Sequence, residues 1–206
     1  MNKKSTIFLV GLLFVNYFLY AQVANIDAQK NDFAIRAQNQ IRVFLDNIPI
    51  IAGSIQPESV IDVCIENVLE VFSDKAIIEE QNKFSKKRRE RSPAEYLSVL
   101  KTRKESAPIL INFEIIDEVA PEKLKEKINP DGSITYIGKM VFRQYYCKLN
   151  EDFYKEENMK SSSNSSDCSY SDTTDKKVTF EVKLQKDHNG QFWVTKITSI
   201  EVLRVF

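Results

Sequence analysis

One histidine, five glycines, three cysteines and no net charge: the 206-residue chain is poor in the residues that announce chemistry. The lone histidine, His188, stands in Asp187-His188-Asn189-Gly190, a hairpin-turn sequence. A Ser-His-Asp triad and a Cys/His metal site each need a positioned imidazole, so neither is expected. So few glycines leave no Gly-rich phosphate-cradling loop. Nothing in the sequence points to a cofactor. Twenty-nine basic residues balance twenty-nine acidic ones, which offers no electrostatic case for a nucleic-acid partner.

The first residues suggest a compartment. Lys3 and Lys4 form a positive start, Ile7–Val15 is an apolar run, and Leu19-Tyr20-Ala21 precedes Gln22 as a small-residue cleavage site. Residues 1–21 therefore read as a secretory signal peptide. The run is interrupted at Asn16 and is too short for a membrane span. Export to the periplasm or the medium is expected, with no membrane span once the signal is removed. Loss of Lys3 and Lys4 would leave 27 basic against 29 acidic residues. The remaining 185 residues suit one domain, which buries about 70% of its unfolded-chain surface.

Residues 22–32 are polar and read as a flexible lead-in to a single domain over 33–206. Ala34, Ala37, Ile41, Phe44, Leu45 and Ile48 recur at helical spacing and predict a helix over 32–46, followed by an apolar connection, Ile48–Ala52. Pro57 opens a second helix over 58–73, with Ile61, Cys64, Ile65, Val68, Leu69 and Phe72 on one stripe. Ala76–Glu79 is a short strand. Ser92-Pro93-Ala94-Glu95 is a capping box that starts a third helix over 93–104. Between them, Lys83–Arg91 holds six basic residues and reads as an exposed connection, or else as a patch for an acidic partner.

Strands follow. Ile109–Ile116 is β-rich, Glu118–Lys127 is a charged connection, and Asn129-Pro130-Asp131-Gly132 is a turn. Ser133–Leu149 is a long strand, with a bulge or bend expected at Gly138. Residues 150–175 are acidic and then Ser-rich, and read as a mobile loop. Asn164-Ser165-Ser166 within it matches a glycosylation sequon. Val178, Phe180, Val182 and Leu184 alternate with polar residues, and Trp193 and Ile197 share a phase that Ile200 and Val202 break. A bulge near Thr198-Ser199 reconciles them. Helices first and an antiparallel meander after them make an α+β class. Cys147 and Cys168 flank the polar loop and are the natural disulfide pair, while Cys64 reads as a buried small hydrophobe.

Val68–Glu79, Ser92–Lys101, Tyr136–Tyr146 and Lys177–Val202 together resemble the NTF2-like superfamily, the cone-shaped α+β fold of SnoaL-type and ketosteroid-isomerase-type proteins. Tyr170-Ser171-Asp172-Thr173-Thr174-Asp175-Lys176 looks like a segment that opens a late strand in its exported Gram-negative bacterial members. The resemblance covers roughly 33–206. It implies N-terminal helices on a curved sheet, with an interior that in enzymes of this fold carries an Asp or His. Fold alone leaves function open.

Two functions remain. The preferred one is an exported, non-catalytic domain that binds a small apolar ligand or an exported protein. Its pocket would be lined by Phe113, Tyr136, Met140, Phe142, Phe180, Val182 and Trp193, with the outer sheet face as a surface for a partner or for a second copy of the chain. The alternative is an isomerase- or dehydratase-type enzyme using tyrosine hydroxyls and a carboxylate base. Asp74, Glu79 and Asp117 were weaker candidates for that base than Glu114, which lies mid-strand.

Overall fold

The computed structural model describes residues 3–53, 56–84, 87–103, 109–149, 168–188 and 190–206, with side chains from residue 27 onward. Helix α1 spans Lys3–Ala52. It includes residues 22–32, expected to be loose, and Ile48–Ala52, expected to be a connection. The reason lies in its buried face. Phe33, Ala37, Ile41, Phe44, Ile48 and Ile51 continue one helical stripe and are all buried. That burial outweighs the one backbone hydrogen bond Pro49 cannot donate.

Helix α2 (Glu58–Val71) runs directly into β1 (Phe72–Glu80), and its buried Ile61, Cys64, Val68 and Val71 face the core. Burial pushes the Cys64 thiol up, so it stays protonated and inert. The basic run contains a short strand, β2 (Arg89–Arg91), paired antiparallel to β1. It is therefore part of the sheet and not merely a connection. Arg91 pairs with Glu80, and Arg88 lies 3.2 Å from Glu79. Helix α3 (Pro93–Arg103) starts with the expected capping box: the Glu95 amide donates to Ser92 Oγ, and the Ser92 amide donates to Glu95 Oε2.

Strands β3 (Ile109–Asp117), β4 (Lys125–Ile128), β5 (Ile134–Leu149), β6 (Cys168–Asp187) and β7 (Gly190–Val205) complete a seven-stranded sheet. Its order is β2-β1-β7-β6-β5-β3, with β4 paired to β5. Only β1 and β7 run parallel. Helices laid against a curved sheet in this order make the α+β plan that the NTF2-like resemblance implies.

Three expectations need correction. The charged connection holds a 3-10 turn, Pro121–Lys123, and then β4, all of whose residues are exposed. Residues 168–175 belong to β6, so only 150–167 of the expected loop, the sequon included, lie outside the described residues. Gly138 is not at a bulge: it pairs in register with Phe180. Its lack of a side chain serves a close approach instead, since a Cβ there would sit 2.2 Å from the Phe180 ring and 2.7 Å from Leu124. The bulge near Thr198 is present, as a register shift between Thr179–Ser199 and Phe180–Ile197.

Candidate functional site

Because side chains alternate across a strand, the inward face of the sheet can be read residue by residue. On β5 it carries Tyr136, Gly138, Met140, Phe142, Gln144 and Tyr146. Their partners on β6 are Val182, Phe180, Val178, Lys176, Thr174 and Asp172. The face is apolar toward one end and turns polar where Phe142 meets Lys176.

The apolar end is filled. Met140, Phe142, Phe180 and Val182 have no exposed surface, and Tyr136 has very little. Phe33 of α1 closes this end, with its ring 5.0 Å from Tyr136 and 4.7 Å from Trp193. Phe44 of α1 packs against Phe72, Phe113 and Phe142. The seven residues expected to line a ligand pocket are thus core, or are packed against it. Trp193 and Phe113 only border two separate shallow surface grooves.

The polar end opens into a cavity of about 320 Å³. Helix α3 contributes Tyr96, Leu100 and Arg103 to its wall. Strand β3 gives Ile111, and β5 gives Gln144 and Tyr146. Strand β6 contributes Tyr170, Asp172, Thr174 and Lys176. The β1 end and the basic run close it with Glu80, Lys87 and Arg89.

Lys176 is 5% exposed. Its ammonium makes no hydrogen bond and no ion pair with any of the described residues, and its near neighbour is the Tyr96 ring, 5.8 Å away. Burial pulls its pKa down to about 8, against the opposing pull of Glu80 and Asp172. Both acids are held elsewhere. Glu80 pairs with Arg91 and lies 3.7 Å from Arg103. Asp172 Oδ2 accepts from the Tyr170 hydroxyl at 2.7 Å and from the Lys83 amide at 3.1 Å, while its buried Oδ1 has no hydrogen-bond partner. Burial raises the pKa of Tyr96, Tyr146 and Tyr170, so all three stay as phenols at neutral pH.

Glu114 lies on the opposite phase, exposed on the outer face, where it accepts a hydrogen bond from Tyr145 at 2.5 Å. It does not reach the interior, and the alternative base falls with that placement. Asp74 and Asp117 are exposed as well. Glu79 accepts the Val202 amide and pairs with Arg88. His188 is exposed at the β6–β7 turn. The outer face is laced with its own charge pairs: Arg143 meets Asp175 through two bonds of 2.7 and 3.1 Å, and Lys177 lies 2.7 Å from Glu201. Cys147 and Cys168 form a disulfide that joins β5 to β6.

The sequence does not single out Lys176, Thr174 and Asp172 as site residues, although the buried phase Val178-Phe180-Val182 extends upstream by twos onto them, the last two within the stretch expected to be a loop.

No protein-family model matches the sequence, and no curated protein does. Among solved structures, the chain is similar to the intermembrane space region of the chloroplast protein ARC6, at 15% identity over 82% of this chain and 95% of that one, with a TM-score of 0.40. It is also similar to Kfla4162 from Kribbella flavida, at 11% identity over 81% and 88%, with a TM-score of 0.41. ActVI-ORFA from Streptomyces coelicolor gives 12% identity over 90% and 96%, with a TM-score of 0.34. Likenesses this distant carry nothing about function.

Proposed function

We propose that the chain is an exported, non-catalytic domain that binds a small molecule in the cavity between α3 and the polar end of the sheet. One observation carries the reading: Lys176 is buried at the wall of the cavity, beside three tyrosines, and is unpaired among the described residues. A buried cation without a partner destabilises a fold, and groups held at such a cost concentrate at sites that use them. Tyr96, Tyr146, Tyr170, Leu100 and Ile111 share the cavity wall with a larger set of polar and charged side chains, which suits a small molecule with both an apolar body and a charged group. The signal-like residues 1–21 and the Cys147–Cys168 disulfide support export, since disulfides persist in oxidising compartments.

The binding test is a thermal-shift screen of small metabolites against the wild type and against Gln144→Trp, which fills the cavity from β5. Ligands that raise the melting temperature of the wild type and lose that effect in Gln144→Trp support the reading. Ligands indifferent to the substitution, or none at all, overturn it. Intact mass of protein from the exported fraction tests the compartment, and retention of residues 1–21 in a membrane-bound chain refutes export.

A further inference from the structure

We infer that the ligand is a monocarboxylate with an aromatic or apolar body, whose carboxylate takes the Lys176 ammonium. The inference rests on the cavity-binding reading and deepens it. An ammonium has three donors and no acceptor capacity. It is 5% exposed, and among the described residues it makes no hydrogen bond and no ion pair, its one close contact being the Tyr96 ring face. The nearby acids do not satisfy it: Glu80 is engaged by Arg91 and Arg103, Asp172 Oδ2 by Tyr170 and Lys83, and the unpartnered Asp172 Oδ1 makes no ion pair with the ammonium. What is missing at this point is therefore an acceptor supplied from outside.

The charge of that acceptor follows from the surroundings. A hydrogen bond between two ions is roughly twice as strong as one between neutral groups, and a carboxylate would also neutralise the buried cation. The lining sets Lys87, Arg89, Arg103 and Lys176 against Glu80 and Asp172 and so favours an anion, and the one buried ammonium is neutralised by a single negative charge, which selects a monoanion. The body follows from the walls. Tyr96, Tyr146, Tyr170, Leu100 and Ile111 offer ring faces and aliphatic surface. A volume of about 320 Å³ is at the small end for ligand sites.

The experiment titrates the full exported chain with benzoate, phenylacetate and 2-naphthoate, each beside its primary amide, with phenyl phosphate as a third arm. Ligand-observed NMR and calorimetry read the affinities. The acids are expected to bind about tenfold or more tightly than the amides, the worth of one charge-assisted hydrogen bond. Lys176→Met and Lys176→Gln are expected to erase that preference while leaving amide binding in place. Equal binding of acids and amides by the wild type overturns the inference, as does a preference that survives both substitutions or a stronger preference for phenyl phosphate. If acids and amides bind alike and Gln144→Trp abolishes both, the carboxylate inference fails and the cavity reading stands. If neither class binds the wild type, the inference fails, and the metabolite screen alone judges the cavity.

Discussion

Replacing Lys176 by Met is expected to stabilise the protein, and by an amount that depends on pH in a defined direction. Methionine matches lysine in length and removes the charge. The folded state holds the Lys176 ammonium at a pKa of about 8, against an ordinary 10.5. That gap corresponds to roughly 3 kcal/mol of cost for keeping the group charged inside the fold. The unfolded chain keeps its proton up to about 10.5, so between 8 and 10.5 the unfolded state binds more protons than the folded one. Wild-type stability therefore rises with pH through that window, and the full cost is present below it. Methionine has no such dependence. The substitution gives up the cation–π contact with Tyr96, worth about 0.5–1 kcal/mol. The net gain near neutral pH is then about 2 kcal/mol, shrinking toward zero or below as the pH approaches 10. The charged or titratable groups that line the cavity with Lys176 are Glu80, Lys87, Arg89, Tyr96, Arg103, Tyr146, Tyr170 and Asp172, and they are common to both proteins, so the difference between the two curves isolates the lysine. Urea unfolding of both proteins across this pH range is the assay. A variant less stable than wild type near neutral pH, or a gain that does not change with pH, refutes the reasoning.

Three further outcomes are expected. Cys147→Ser opens a loop with a sequence separation of 21 and should cost about 3 kcal/mol on the chain-entropy model, read as a lower urea midpoint matched by reduction of the wild type. Gly138→Ala drives a methyl into the fully buried Phe180 ring and Leu124, and should destabilise by about 1–3 kcal/mol, whereas an unchanged midpoint would mean that the β5–β6 contact is looser than described. Phe33→Ala leaves a void beside Tyr136 and Trp193 and should cost about 3–5 kcal/mol with a change in Trp193 fluorescence, while a loss under 1 kcal/mol would show that α1 does not close the sheet.

The parts of the fold legible in the sequence were those with a clean period. The stripes of α1 and α2, the capping box Ser92–Glu95, the alternation Val178-Phe180-Val182 and the broken phase at Thr198 each correspond to an observed element. Strand β4 escaped because Lys125–Ile128 is exposed on every residue and so carries no alternation of hydrophobic and polar residues. The far end of α1 runs past the expected limit of 46 because the buried Ile48, Ile51 and Ala52 hold it through tertiary contact, which outweighs Pro49 as a local breaker. The apolar inward residues do not line an open pocket for a related reason: large apolar side chains on the inner side of a curved sheet are what a covering helix packs against.

That last point bears on what the interior can hold. Where helices cover a curved sheet, the sheet sets the outer limit of the space, and the covering helix sets how much of it remains. Phe33 and Phe44, both on α1, take up the volume over Tyr136, Met140 and Phe142. The space left lies beyond the Phe142–Lys176 pair, where the inward residues become Gln144, Thr174, Tyr146 and Asp172. Lys176 is thus among the most buried residues lining the remaining cavity, while Tyr146 and Tyr170 are only half-buried. A carboxylate reaching Lys176 would enter headgroup first and leave its body among Tyr146, Tyr170 and Leu100. Selection would then be made at two separate places, for charge at Lys176 and for shape along the wall. Substitutions at Tyr146 or Leu100 should accordingly change which bodies are accepted while leaving the preference for acid over amide intact.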